Sequence, residues 1–269
     1  MQEAKGVDTP IVPGFTIEES DLPSSPDDVK QVSELPFREV IGRLWWLALV
    51  SRPDILLVTH IASTWQSRPS LKLWVLLMRC VAYLIRTMDL GVCFVRPSNP
   101  LGPISLSAMV DASFMADSNY KSRFGYFFFC HGSLVGWTSQ NTKRLVTSST
   151  EAEVHGLVEV GKENIWQREF HAELDFARIA GPTVVFQDNQ SAIKLAVRPK
   201  VVNRRSKHFG LEFEVFREYL TRKELVIEYK ETEDLASDML TKPLPAPKFA
   251  RFRDSIMGGS QVQRHFGSQ

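Results

Sequence analysis

From Pro36 to about Val95 the apolar positions recur at helical spacing. Val40, Ile41, Leu44, Leu47 and Ala48 form one stripe, Ile55, Val58, Ile61 and Ala62 a second, and Leu73, Leu77, Val81 and Leu84 a third, which predicts a small helical module. After "RPSNPLG" the pattern changes. "ISLSAMVDA" reads as a strand, and "GYFFFCHGSLVGWTS" as two more turned at Gly132-Ser133, so a three-stranded meander is expected. Beyond it the chain predicts a long helix from about Ser149 to Phe176, a strand Thr183 to Phe186, a short helix from Ser191 and a basic loop. A helix from about Lys207 to Arg222, the strand "LVIEYK" and a last helix from Thr232 complete the series. Three strands followed by alternating helix and strand imply an α/β fold, a mixed five-stranded sheet flanked by helices.

The first 35 residues do not follow either period. They hold four of the fifteen prolines and eight acids against Lys5 and Lys30. They are expected to be an acidic arm or linker without a compact fold. The expected organisation is therefore an arm (1–35), the helical module (36–97), an α/β domain (104–245) and a C-terminal helix and tail (246–269). The arm carries a net −6, so a total of +1 leaves +7 on the remainder, which is mildly basic. Cys80, Cys93 and Cys130 are far apart and make no C-x-x-C, which argues against a disulfide framework or a zinc site and for a reducing compartment. The greasiest stretch, "LWVLLMRCVAYLI", is broken by Arg79 and too short to span a bilayer. A soluble, non-secreted protein with no membrane partner is expected.

Four acids stand at element ends. Asp111 ends the apolar run "SAMV", where an aspartate is out of character. Asp188 follows "VVFQ", where it or Asn189 has a local role available as a helix cap. Glu151 belongs to a capping box with Ser148, and Asp238 has a solvent-facing place open to it in the last helix. Each local reading suffices alone. Sheet topology, however, sets the ends of the first and fourth strands side by side with helix starts above them, which would gather the four carboxylates. Such a cluster resists ionisation unless a cation neutralises it. Oxygen ligands without His or Cys favour Mg2+ or Mn2+, and two such ions roughly 4 Å apart suit in-line displacement at phosphate.

The ordered motifs "VDAS", "SSTEAE", "FQDNQSAIKL", "RRSKH", "FRE" and "TEDLASDMLTKPL" make residues 104 to 257 resemble the ribonuclease H domain of copia-type (Pseudoviridae) retrotransposon polyproteins. Upstream, "DTPIVPGF", "PFREVIGRLWWLALVSRPDI" and "LKLWVLLMRCVAYLIRTMDLGV" are similar to the thumb and connection region that follows the reverse transcriptase palm in that family. The resemblance implies a ribonuclease H-like fold and a two-metal endonuclease that hydrolyses the RNA strand of RNA/DNA hybrids. Asp111 would bridge both ions, Asp238 would complete the ion that activates water, and Glu151 with Asp188 would hold the ion at the leaving oxygen. Asn189 would contact a 2′-hydroxyl, the group that distinguishes RNA from DNA. The rest of a reverse transcriptase polyprotein is an expected partner, and a cytoplasmic particle or the nucleus the expected setting. The only Asp-Asp pair, Asp27-Asp28, lies in the acidic arm, so no polymerase carboxylates are expected here. Departures from the family pattern are Phe209-Gly210 after "SKH", Glu214 in place of a second His, Gln140-Asn141-Thr142 after the third strand, and Val154 in place of an aromatic.

Between Asp188 and Glu212 there is no acid, while Lys194, Arg198, Lys200, Arg204, Arg205 and Lys207 crowd fourteen residues. A basic run is ordinarily a solvated face. Beside a nuclease-like site it reads as a phosphate-tracking surface, and Lys72, Arg79 and Arg86 of the helical module either extend it or are ordinary surface residues. His208 is either an auxiliary group for product release or a structural histidine, and Trp45, Trp46 and Trp137 are expected in the core. The rival reading is a decayed or repurposed copy that binds nucleic acid without cutting it.

Overall fold

The computed structural model describes residues 6–97, 99, 102–116, 120–143, 145–174, 178–198 and 210–257. Its centre is the expected mixed five-stranded sheet: β1 (Leu106–Ser113), β2 (Arg123–Cys130), β3 (Ser133–Asn141), β4 (Thr183–Gln187) and β5 (Leu225–Tyr229), in the order β3-β2-β1-β4-β5. The first three strands form an antiparallel meander, and β4 and β5 run parallel to β1. Alternate residues of a strand face opposite sides, so an apolar run serves two cores at once. Ala108, Val110 and Phe128 enter a core with Val154, Leu157, Phe213 and Phe216. These last residues come from α5 (Ser149–Glu173) and α7 (Gly210–Thr221). Met109, Phe127 and Phe129 enter the core on the other side, with the helical module and the C-terminal elements.

That second face is covered by α2 (Phe37–Val50), α3 (Leu56–Thr64) and α4 (Leu71–Arg86). Ile41, Leu44, Ala48, Ile55, Val58, Ile61, Ala62, Leu73 and Leu77 are buried there, as their spacing predicts. Trp137 is half-buried and donates its indole N–H to the Ala48 carbonyl at 2.7 Å, which ties β3 to α2. Trp46 is 68% exposed and Trp45 only half-buried, against the expectation of core positions. The reason is angular. The stripe Ile41, Leu44, Ala48 points inward, and Trp46 lies on the opposite side of the same helix.

The acidic segment departs from expectation. Residues 6–35 pack onto the helical module: Ile11, Ile17, Leu22 and Val32 are buried, and the first three join its core. Asp27 and Asp28 open α1 (Pro26–Ser33), where Ser25 and Asp28 form a reciprocal capping box. The basic residues of α4 are spoken for by this segment. Lys72 pairs with Asp21 at 2.8 Å, Arg79 donates to Thr9 Oγ1 at 3.0 Å, and Arg86 meets Asp8 at 3.1 Å. The extension of a phosphate track along Lys72, Arg79 and Arg86 is therefore replaced by an intramolecular contact.

Two local differences concern turns. The hairpin turns at His131-Gly132, not Gly132-Ser133, with φ of 50° and 76°; a two-residue turn of this hand needs positive φ at both positions. The helix expected from Thr232 is broken. A 3-10 turn spans Thr232–Asp234, Leu235 is extended, and a short α8 (Asp238–Thr241) precedes α9 (Ala246–Met257). Thr232 is not a helix cap, and Asp234 and Asp238 do not share a helical face.

Candidate metal centre

Asp111 is the sixth residue of β1 and shares its face with Met109, toward the helical module and α8. Across the ladder it pairs with Gly125. A Cβ built on Gly125 would stand 2.4 Å from Leu240 Cβ, so the missing side chain is what lets α8 settle onto β2. Once there, Thr241 Oγ1 donates to Asp111 Oδ2, and Asp238 starts α8 beside it. The parallel register Met109↔Phe186 brings Asp188, two residues on, level with Asp111. One carboxylate oxygen from each of Asp111, Asp188 and Asp238 lies within 4.8 Å of the other two. Asp234 is exposed and 3.9 Å from Arg251, so Asp238 is the acid of this segment at the cluster.

Glu151 is not brought to these three. It sits at the start of α5, half-buried, and its Oε2 accepts from Thr147 N at 2.6 Å and Thr147 Oγ1 at 2.7 Å, while its own N–H bonds Ser148 Oγ. Its role is local to the helix start, although the side chain reaches back to Thr147 and not to the Ser148 N–H of the expected capping box. Glu153, two residues on, points inward instead. It is 6% exposed, and Gln187 Nε2 donates to its Oε2 at 3.1 Å. The same Gln187 accepts from the backbone N–H groups of Asp188 and Asn189, at 2.7 and 3.0 Å. Close approach of α5 to β1 is set at Gly156, where an added Cβ would lie 3.0 Å from Val110 Cγ2.

Burial pushes the Glu153 carboxyl up to about 9, helped by the charges of Asp111 and Asp188. Asp111 is raised to about 6, by burial first, against the opposing pull of Lys242. Carboxyls held this far up are repelling one another in a dry place. Two lysines relieve part of the charge: Lys242 Nζ lies 2.7 Å from Asp238 Oδ1 and 3.7 Å from Asp111 Oδ2, and Lys248 Nζ lies 3.1 Å from Asp238 Oδ2. Three carboxylate oxygens that converge with no nitrogen or sulfur donor among them fit a hard divalent cation.

The other candidate residues surround this cluster unevenly. Thr232 Oγ1 donates to Asp188 Oδ2 at 2.6 Å and fixes that carboxylate. Asn189 caps α6 (Gln190–Val197), its Oδ1 accepting from Ala192 N at 3.0 Å. Lys194 and Arg198 are exposed on and just after α6. Arg217 closes the end of that helix by donating to the carbonyls of Leu195, Ala196 and Arg198. Arg204, Arg205, Lys207 and His208 lie outside the described residues, as does Lys200.

No family model matches the chain. Among solved structures, LC11-RNase H1, crystallised in complex with an RNA/DNA hybrid, is similar over 51% of this chain and 94% of its own, at 16% identity and a TM-score of 0.39. Among curated proteins, the retrovirus-related Pol polyprotein from transposon TNT 1-94 of Nicotiana tabacum is 30% identical over 257 residues, 95% of this chain. That from transposon RE1 of Arabidopsis thaliana is 31% identical over 257 residues, again 95% of this chain. The chain spans 19% and 17% of the length of these two relatives. With the ordered motifs, the chain is similar along nearly its whole length to the copia-type retrovirus-related Pol polyproteins.

Proposed function

We propose that this chain is a divalent-metal-dependent endonuclease that hydrolyses the RNA strand of RNA/DNA hybrids, and that it works as part of a reverse transcriptase polyprotein. The convergence of Asp111, Asp188 and Asp238 supports this reading most directly. Asp111, Glu153, Asp188 and Asp238 would hold Mg2+ or Mn2+, in a pair of sites. When bound, such ions neutralise charge developing at the phosphate and make water a competent nucleophile near neutral pH.

The chain's own contribution is preorganisation. Thr241 and Thr232 aim the Asp111 and Asp188 carboxylates, and Gln187 holds Glu153 against the end of β4. These bonds spare the site the reorganisation that water-solvated carboxylates would need. In the net reaction a water oxygen bonds to phosphorus, the bridging P–O bond breaks, and the leaving oxygen takes up a proton. Asn189, next to Asp188, is the proposed reader of the 2′-hydroxyl. Lys194 and Arg198, with Arg204, Arg205 and Lys207, are proposed to follow the phosphates. His208 is proposed as an auxiliary group for product release. The division into an N-terminal segment, a thumb-like helical module and a nuclease domain is likewise our reading of the family.

The test is a labelled hybrid with purified protein, in Mg2+ or Mn2+ and in EDTA. Cleavage of the RNA strand only with metal, abolished by Asp188→Asn, is the expected result. Cleavage that persists in EDTA, or binding without cleavage in either metal, overturns the proposal.

A further inference from the structure

The two lysines at the carboxylate cluster are held differently. Lys248, on α9, has an 18% exposed side chain, pairs with Glu233 as well as Asp238, and lies over the Phe252 ring at 5.4 Å. It is a fixed counter-charge. Lys242 follows α8 at an extended residue, and its side chain is 41% exposed. Its ammonium nevertheless reaches inward to 2.7 Å from Asp238 Oδ1 and 3.7 Å from Asp111 Oδ2, two of the three oxygens-bearing groups that converge. Outward, Lys242 and Thr241 line a cleft of about 580 Å³ with Phe15, Trp65 and Tyr120, so the amine has open space to withdraw into.

We propose that Lys242 is a tethered cation that stands in for a divalent ion between Asp111 and Asp238, and that it must withdraw when metal binds. This rests on the metal-site reading above. A single positive charge on a flexible four-carbon stem offsets part of the repulsion among the buried carboxylates in the metal-free protein. The same charge competes with an incoming ion, because two cations cannot share those oxygens at 3 to 4 Å. Lys242 therefore sets the metal affinity, and it is a positioning residue, not a ligand.

Direct Mn2+ titration, followed by the loss of free-ion electron spin resonance signal, tests this without reference to cleavage. Lys242→Gln is expected to bind Mn2+ at least about tenfold more tightly than the parent chain, the scale of one opposite charge lost within hydrogen-bonding distance of a ligand. Its metal-free melting temperature should fall while its melting temperature in saturating Mn2+ does not, a pattern that a merely structural lysine would not give. Lys242→Arg, which keeps the charge, should stay near the parent affinity. Lys242→Met repeats the measurement if the glutamine variant does not fold. Unchanged or weaker Mn2+ binding in the neutral variants overturns the inference while leaving the metal site standing. Absence of Mn2+ binding in parent and variants alike overturns the site and the inference together.

Discussion

The carboxamide of Gln187 and the carboxylate of Glu153 meet at 3.1 Å in the interior, Nε2 donating to Oε2. Because the other end of the same carboxamide accepts from Asp188 N and Asn189 N, one side chain links the α5 acid to the end of β4. Gln187 is fully buried, so these bonds have no water to replace them. Gln187→Leu is expected to weaken Mn2+ binding and hybrid cleavage by about 10- to 100-fold, the range for losing a group that orients ligands. The change also leaves two backbone N–H groups unpaired, at a cost of about 1–3 kcal/mol in stability. Metal affinity and cleavage both within twofold of the parent would show that the clamp plays no part.

The two acids of "STEAE" separate cleanly in the structure, and so should their variants. Glu153→Gln keeps the shape and removes the charge, and is expected to abolish detectable cleavage. Glu151→Gln disturbs only a helix start, with a loss of up to about 1 kcal/mol in stability and cleavage within about threefold. Single-turnover rates on a hybrid decide between them. A reversed result would mean that the start of α5 rearranges when metal and substrate bind.

Sequence alone reached Asp111 and Asp188 because each ends an apolar run whose register can be read, and Asp238 through the family motif that contains it. It missed Glu153, although a signal was there. Leu157, Val160, Asn164 and Gln167 follow Glu153 at steps of four and three, and all are buried, so Glu153 is an acid on the inward stripe of α5. Glu151 leads the other side, with His155, Glu159 and Lys162, none of them buried. The capping pattern drew attention to Glu151, the glutamate on the outer side of the helix. The break between Thr232 and Asp238 was not legible, since nothing in "TEDLASDML" forbids a continuous helix; packing of Leu235 and Leu240 into the core decides it. The packed state of residues 6–35 was hidden by sparse apolar positions, Ile11, Ile17 and Leu22, that have no single period and find their partners only in three dimensions.

Acidity in the metal-free protein carries a testable sign. Glu153 is raised in the folded state to about 9 from an ordinary 4.5, so between those values the folded chain holds a proton that the unfolded chain has released. Stability then falls as pH rises, by up to about 1.4 kcal/mol per pH unit for one proton. Asp111, at about 6, adds to the fall at lower pH. His60 is depressed to about 4 and works in the opposite direction, but only below its unfolded value of 6.5. From pH 7 to 8.5 Glu153 dominates, with the buried Cys80 and half-buried Cys130 thiols, both raised from 9.0, adding a smaller fall in the same direction near the upper end. Urea unfolding in EDTA should show lower stability at pH 8.5 than at 7, and Glu153→Gln should flatten the difference. Stability that rises across this window in the parent chain would show that Glu153 is ionised without metal.

The seating of α8 is the last link between fold and site, and Gly125 controls it. Its backbone is ordinary for a strand, so conformational freedom is not the reason for glycine here. Space is: an added Cβ would meet Leu240 Cβ at 2.4 Å and the Thr138 carbonyl oxygen at 3.1 Å, and neither is the free end of a flexible side chain. Ser139 Oγ also donates to the Leu240 carbonyl at 2.7 Å, pinning the same helix from β3. A methyl group at 125 must lift α8, and Asp238 and Thr241 move with it. Gly136→Ala is the matched control, because its Cβ would meet chiefly the Glu163 Oε1 tip, at 3.2 Å, which can yield. Gly125→Ala should lose about 1–3 kcal/mol of stability, as an overpacked core position does. Well below its melting temperature it should still cleave hybrid at least about tenfold more slowly than Gly136→Ala and bind Mn2+ more weakly. If Gly125→Ala cleaves as Gly136→Ala does, the placement of Asp238 does not depend on the contact between α8 and β2, and the connection drawn here from Gly125 to the carboxylate cluster is wrong.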